Sequence, residues 1–396
     1  MTTTDPSPTP PVSPGNPALI AIIRDTIDRA GGRITFARFM DLALNHPEHG
    51  YYRAPERRPG RGGDFLTAPE TTPWFGFIVA RQIAECRDRL GRSEPFTIHE
   101  SGAGIGGLAY DIVAALLDHD PDLRATLSYR LSEPNPHRRA QAIAAMREVG
   151  LDDVVRVEDP TVPGYAPEPI TGVVLANEVA DALPVHRLTV RDGELAECYV
   201  RRDGDGFAEE IGPVSEAALA DGLPRRLQRA GVSLSEGDRL DVSPAATSWF
   251  RDLVRPLRRG YALVIDYGYA ADELYRGHRL SGTLRTYASH VAGDDPFVRI
   301  GEQDLTAHVD FTALQDGGLA EGLLPAGLTS QSLFLERLGL GQVLLDAQDT
   351  PGMTPEDYLA LRAGIFRLID PAGMGRFSVL AMARDAPVDP PLLGFG

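Results

Sequence analysis

The 396-residue chain contains no lysine, so all 39 of its Lys/Arg-class side chains are arginine. A lysine amine forms the Schiff base with pyridoxal phosphate, completes a phosphate loop, or serves as a general base of lowered pKa, and those chemistries are excluded. Cysteine is almost as scarce. Cys86 and Cys198 stand far apart, without the spacing of a disulfide scaffold or a thiolate zinc site. That usage fits a cytoplasmic setting. No apolar run approaches the roughly 20 residues that cross a bilayer, which argues against membrane insertion. Positive charge is in deficit as well: the formal net charge is −17, so no nucleic-acid partner is expected. Residues 1–17 hold almost nothing to bury and lack both a basic segment and an apolar core. They read as a disordered tail rich in Pro, Ser and Thr, not as a secretory signal or a mitochondrial presequence.

What is present is a globular pattern. "PALIAIIRDTIDRAGG" carries apolar residues at helical spacing and closes on Gly31 and Gly32, and "TFARFMDLALNH" predicts a second helix with Thr35 as N-cap. Arg53–Glu70 has the Gly and Pro content of a long loop, and "WFGFIVARQIAECRDRLG" returns to helical spacing. Residues 18–94 are therefore taken as a helical N-terminal segment and 95–396 as the core. From Phe96 strands alternate with helices: "FTIHE", "LSYRLSE", "DVVRVED" and the fully apolar "TGVVLANE", separated by "GLAYDIVAALLDH" and "PHRRAQAIAAMREVG". This is the rhythm of a doubly wound, mostly parallel α/β sheet, whose ligands sit beyond the carboxyl ends of the strands. Insertions interrupt it at about 186–240, a hairpin turning at Asp192-Gly193, and at about 270–370, a mostly helical stretch. "GYALVIDYG" and "RFSVLAMAR" supply the remaining strong strands.

The sharpest local feature is "ESGAGIGG", a glycine-rich bend between strand and helix. Gly102, Gly104 and Gly107 satisfy the dinucleotide pattern G-x-G-x-x-G. Glu100, Gly102, Gly104 and Gly106 equally satisfy E-x-G-x-G-x-G, a loop that holds S-adenosylmethionine. Glu100 separates the two: a carboxylate repels a pyrophosphate but welcomes a cofactor bearing a sulfonium and an ammonium. Glu133 ends the second strand, where a carboxylate accepts from ribose hydroxyls of either cofactor. Asp159 follows the third strand, within reach of an adenine amine. Asn177, Glu178 and Asp181 cluster past the end of the fourth strand, where buried carboxylates need partners. They either hold a substrate nitrogen against the methyl donor or cap the next turn. His308 and Asp310 form an oriented acid/base pair, or Asp310 is a helix N-cap. His46 and His49 are disfavoured as a metal pair because Pro47 breaks the helix that would align them, and no metal is expected.

Taken together, "HPEHGYY", "GGDFLTAPETTPWFG", "ESGAGIGGLAYD", "NEVADALPVHR", "IDYGY" and "DLTAHVDFTAL" resemble the MidA-like S-adenosylmethionine-dependent methyltransferases. The resemblance implies a class I, Rossmann-like methyltransferase fold and S-adenosyl-L-methionine as cofactor. It also implies N-methylation of a protein arginine, with symmetric dimethylarginine as product and a respiratory complex I subunit as partner. Asp64, Phe65 and Thr67 match a motif expected to close over the cofactor, and Asn177, Glu178 and Asp181 one near the acceptor. On this reading Glu178, then Asp181, clamps the guanidinium and His308 accepts the released proton. The chain departs from the family at Ala103, at Thr71-Thr72 and at Val179-Ala180; the last two pairs adjoin the expected acceptor pocket. A small-molecule or biosynthetic-peptide acceptor, a non-catalytic assembly factor and a nicotinamide-dependent dehydrogenase are the alternatives.

Overall fold

The computed structural model describes residues 13–54, 67–92, 95–288 and 291–396. From Phe96 onward the apolar strands assemble into one seven-stranded sheet. Its members are β1 (Phe96–Ser101), β2 (Leu127–Ser132), β3 (Val155–Glu158), β4 (Ile170–Asn177), β5 (Leu257–Asp266), β6 (Leu324–Ser330) and β7 (Ser378–Arg384). The spatial order is β6-β7-β5-β4-β1-β2-β3. All neighbours are parallel except β7, which runs antiparallel to both β5 and β6. The doubly wound, mostly parallel architecture expected from the alternating pattern is the one that forms.

Alternation along each strand sends neighbouring residues to opposite faces. Ile98, Val173, Leu175, Leu263 and Ile265 pack on one face with residues of the helices Trp74–Arg89 and Gly107–His119. Val174, Ala176, Ala262 and Val264 pack on the other with Phe250, Phe311 and Leu314, from the helices Pro244–Val254 and Phe311–Ala320. A sheet buried on both faces needs the continuous apolar runs that these strands carry. The chain leaves β1 toward β2 on one side and returns to β4 on the other. That reversal opens a crevice at the carboxyl ends of β1 and β4, the place where such sheets bind ligands.

Two regions depart from expectation. The hairpin at Asp192-Gly193 forms, with Arg191 paired to Glu194, but it belongs to a five-stranded antiparallel sheet. The helical N-terminal segment contributes Arg33–Thr35 to that sheet, and Gly206–Gly212 and Arg239–Val242 complete it. The three residues Arg33–Thr35, the last of them the helix N-cap, are too few to show alternation, so this strand leaves no signature. The stretch expected to be mostly helical contains β6, "LPAGLTS". As an edge strand it tolerates Pro325, whose missing N–H no ladder requires. Among the described residues no helix is long and apolar enough to cross a membrane.

Candidate active site

The glycine bend begins where β1 ends. Gly102, Gly104 and Gly106 have φ of 71°, 58° and 85°, the left-handed region that side chains penalise. A Cβ on Gly102 would lie 2.6 Å from Val179 Cγ2, whereas one on Gly104 would meet nothing within 4 Å. Gly102 thus lets the bend press onto the turn after β4, and Gly104 borders open space. Glu133, at the end of β2, braces the bend: its carboxylate accepts from Gly104 N at 2.9 Å and from Asn135 N at 2.8 Å. Glu100 is 3% exposed and takes a hydrogen bond from the Tyr129 hydroxyl at 2.7 Å. Burial pushes its carboxyl up to about 8, against the Tyr129 hydrogen bond and with help from the nearby Glu133 charge.

The turn after β4 is held from the neighbouring strand. Asp266, at the end of β5 and fully buried, accepts from the backbone N–H groups of Val179 at 3.0 Å, Ala180 at 2.7 Å and Asp181 at 3.4 Å. It also accepts from Tyr267 N at 2.7 Å. Glu178 sits at φ 52°, an unusual value for a residue with a side chain. Its own N–H donates to Ile265 O at 2.9 Å. Its carboxylate accepts from Ala68 N at 2.8 Å and from the Asn177 amide at 3.1 Å. Burial raises the Glu178 carboxyl to about 8, opposed by the Ala68 hydrogen bond and reinforced by the Asp266 charge. Asp181 is held well above the ordinary carboxylate range by burial and then by Asp266, Asp304 and Glu178. Asp266 itself reaches only about 6, because four backbone donors offset its burial. Sequence reasoning quoted Asp266 within "IDYGY" but assigned it no role. A carboxylate ending a fully apolar strand was the available signal. Tyr52, which donates to Asp304 at 2.8 Å and lines the same crevice, was missed as well.

These groups share one cavity of about 290 Å³, whose wall includes Thr67, Glu100, Gly102, Gly104, Glu133, Asn177, Glu178 and Asp181. Gly106 is not part of that wall: a Cβ there would meet Leu131 Cδ1 at 3.0 Å, so it serves helix-on-sheet packing. Asp159 is also outside it, its carboxylate engaged by Arg139 and by Thr161. His308 lines a neighbouring cavity of about 240 Å³ that shares the Val179–Ala182 turn as a wall. Asp310 is the N-cap of Phe311–Ala320, accepting from Ala313 N at 3.0 Å, and also binds Arg226 and the Tyr275 hydroxyl. Asp64 and Phe65 lie outside the described residues. The cavity suits a cationic nucleoside cofactor. It offers strand-end carboxylates, a glycine edge open to solvent, and the buried Asn177 Oδ1, which has no hydrogen-bond partner among the described residues.

A family model described as S-adenosyl-L-methionine-dependent methyltransferase matches residues 78–329. Over 383 residues the chain is 30% identical to the protein arginine methyltransferase NDUFAF7 homolog, mitochondrial, of Drosophila melanogaster, covering 89% of this chain and 82% of the relative. The corresponding protein of Homo sapiens is 28% identical, with 94% and 84% covered. A crystal structure of a Burkholderia thailandensis protein bound to S-adenosyl-homocysteine superposes with a TM-score of 0.85. It is 33% identical, and 99% of this chain and 98% of that chain are covered. The names of the curated relatives overturn the cytoplasmic expectation, since those proteins are mitochondrial. Two cysteines do not distinguish one compartment from another.

Proposed function

The chain belongs to the MidA-like family of S-adenosyl-L-methionine-dependent methyltransferases, and from that premise we propose that it methylates an arginine side chain of a protein. Its fold is the Rossmann-like fold of that class, and S-adenosyl-L-methionine is its cofactor. When bound, the cofactor supplies an electrophilic methyl group on a sulfonium. Glu100 and the Gly102–Gly104 edge are assigned to its cationic end and Glu133 to its ribose, with Thr67 in the cavity wall beside it.

The observation that carries the arginine reading is the pair Glu178 and Asp181 on a turn clamped by Asp266, in the wall of the same cavity as Glu100. A guanidinium is a poor nucleophile because its lone pairs are delocalised and its pKa exceeds about 12. A carboxylate on one edge localises the charge and aims the opposite nitrogen. Glu178 does this with its orientation fixed by Ala68 N and Asn177. The methylated nitrogen must lose one proton. The sulfonium and guanidinium charges would hold Asp181 ionised in the complex, and its carboxylate takes that proton as the positive charge leaves, in surroundings that favour its protonated form. His308 is a weak base by comparison. Burial, followed by the Arg279, Arg376 and Arg285 charges, lowers it to about 3, and it faces the other cavity. The arginine methyltransferase names of the relatives support the acceptor. A complex I subunit and a symmetrically dimethylated product complete the proposal. Incubation with labelled S-adenosyl-L-methionine and cognate lysate, read by mass spectrometry, should place label on an arginine. Glu178→Gln should lower kcat about a hundredfold while the cofactor Kd stays within about threefold. Full activity in that variant would remove the clamp.

A further inference from the structure

Beside the acceptor carboxylates lies a group of arginines and aromatic rings that methyl transfer itself does not use. Tyr267 follows Asp266 directly, and its ring centroid is 4.2 Å from that of His308 and 6.4 Å from that of Tyr269. The Arg376 guanidinium carbon lies 4.9 Å from the Tyr267 ring centre, and that of Arg279 lies 4.0 Å from the Tyr269 ring centre. Arg285 joins them through the strand Arg285–Ala288, whose Tyr287 is paired across the ladder with Asp304. Residues two apart on a strand share a face, so Arg285 and Tyr287 project together.

Several links tie this group to the cavity. Asp304 receives the hydroxyl of the cavity-lining Tyr52. Ala307, which precedes His308, donates its N–H to Asp181 O at 2.9 Å. Arg376 ends the turn Met374–Arg376, and the Met374 sulfur is 3.7 Å from the Thr71 hydroxyl, next in the chain to cavity-lining Glu70. The Tyr287 hydroxyl lies within electrostatic reach of Asp181 and Asp304 as well as of Arg285 and Arg376. Negative acceptor groups and positive flanking groups are therefore neighbours.

Arg285 and Arg376 are both exposed. Among the described residues neither has a carboxylate partner: Arg285 donates to Leu284 O, and Arg376 stacks on Tyr267. Arg279, by contrast, is engaged by Glu273 at 3.3 Å. In a chain with 56 acidic and 39 basic side chains, two guanidiniums without a carboxylate partner among the described residues, both within electrostatic reach of a tyrosine that Asp181 also reaches, form a local reversal of charge. A planar, fork-shaped donor backed by an aromatic ring is suited to a carboxylate.

We propose that this surface binds an acidic side chain of the acceptor polypeptide, an aspartate or glutamate near the methylated arginine, with Arg285 and Arg376 as its partners. The proposal rests on the arginine reading above and narrows it to arginines with an acidic neighbour. The convergence of three guanidinium charges on His308 agrees with it.

The test uses matched peptides that carry one arginine and one glutamate at successive positions on either side of it, each beside its glutamine counterpart. Two quantities are measured on the full chain: methyl transfer, and equilibrium binding in the presence of S-adenosyl-homocysteine. At the productive position glutamate should bind about five- to tenfold more tightly than glutamine, chiefly through KM. In the double variant Arg285→Gln/Arg376→Gln that preference should fall below about twofold. The double variant Arg29→Gln/Arg147→Gln, which removes the same charge from the helices Pro17–Arg29 and Pro136–Glu148, should retain it. Equal methylation of both peptides, or a preference that survives the first double variant, would overturn the acidic subsite and leave arginine methylation standing. Preferential binding without methyl transfer to arginine would overturn the arginine reading and leave the subsite. A chain that neither discriminates nor transfers would overturn both.

Discussion

Glu100 holds its proton to about 8 because burial outweighs the Tyr129 hydrogen bond. A bound sulfonium and ammonium favour the ionised form, so cofactor binding near pH 7 should expel most of one proton. Calorimetry in buffers of differing ionisation enthalpy should report that release. The apparent affinity should rise with pH until about 8 and then level off. Glu100→Gln should abolish the slope and weaken binding by more than about tenfold. A flat pH profile in the native chain would remove Glu100 from the cofactor's cationic end. Val179 lines the cavity and its Cγ2 packs beneath Gly102, whereas Ala180 is 2% exposed and packs with Val174 and Phe250 on the other face of the sheet.

At the level of the element, the decisive object is the turn Val179–Ala182, where one carboxylate satisfies three successive N–H groups. Asp266→Asn keeps the shape but faces an amide N–H₂ toward backbone donors. It should therefore cost about 1–3 kcal/mol of stability and release the left-handed conformation of Glu178. The expected kinetic result is a fall in kcat of tenfold or more with the cofactor Kd little changed, since Glu100 and Glu133 are fixed by other partners. A weakened Kd with intact kcat would assign Asp266 to cofactor binding instead. The strand-end positions of Glu100, Glu133, Asn177 and Glu178 were legible because apolar runs reveal where parallel strands stop. The partner of the turn was not, because Asp266 arrives from a strand 86 residues away in sequence from Ala180.

Across the whole molecule, Glu100 and Glu178 are raised to about 8 and Asp111 to about 7, each first by burial. A carboxyl raised on folding contributes stability that is complete below its unfolded pKa and is lost as pH rises through its folded value. His99 and His308, lowered to about 4 and about 3 by burial, act in the opposite sense. Their stability contribution is present above the unfolded histidine value of about 6.5 and is lost only as pH falls below it. Between about pH 7 and about pH 8.5 the carboxyls therefore dominate. The thermal midpoint of the cofactor-free chain should fall by about 2 °C over that interval, and less with saturating S-adenosyl-L-methionine. Scanning calorimetry at the two pH values, with and without the cofactor, reads the difference. A midpoint that rises with pH would mean that the active-site carboxyls ionise freely in the folded chain.

The sequence by itself excluded lysine chemistry, announced the doubly wound sheet and named the acids at its ligand-binding edge. These are local properties: composition, periodicity, and a polar residue ending an apolar run. Tertiary structure alone decided which side chains those acids meet. It withdrew Asp159 to Arg139, placed His308 in the adjoining cavity, made Asp310 a helix cap, and brought Asp266 beneath Glu178. It also brought Arg285 and Arg376 within electrostatic reach of Tyr287, the strand partner of Asp304. Such pairings follow from strand order and from which face a residue takes in the assembled sheets, and a linear pattern carries neither until the chain has closed on itself.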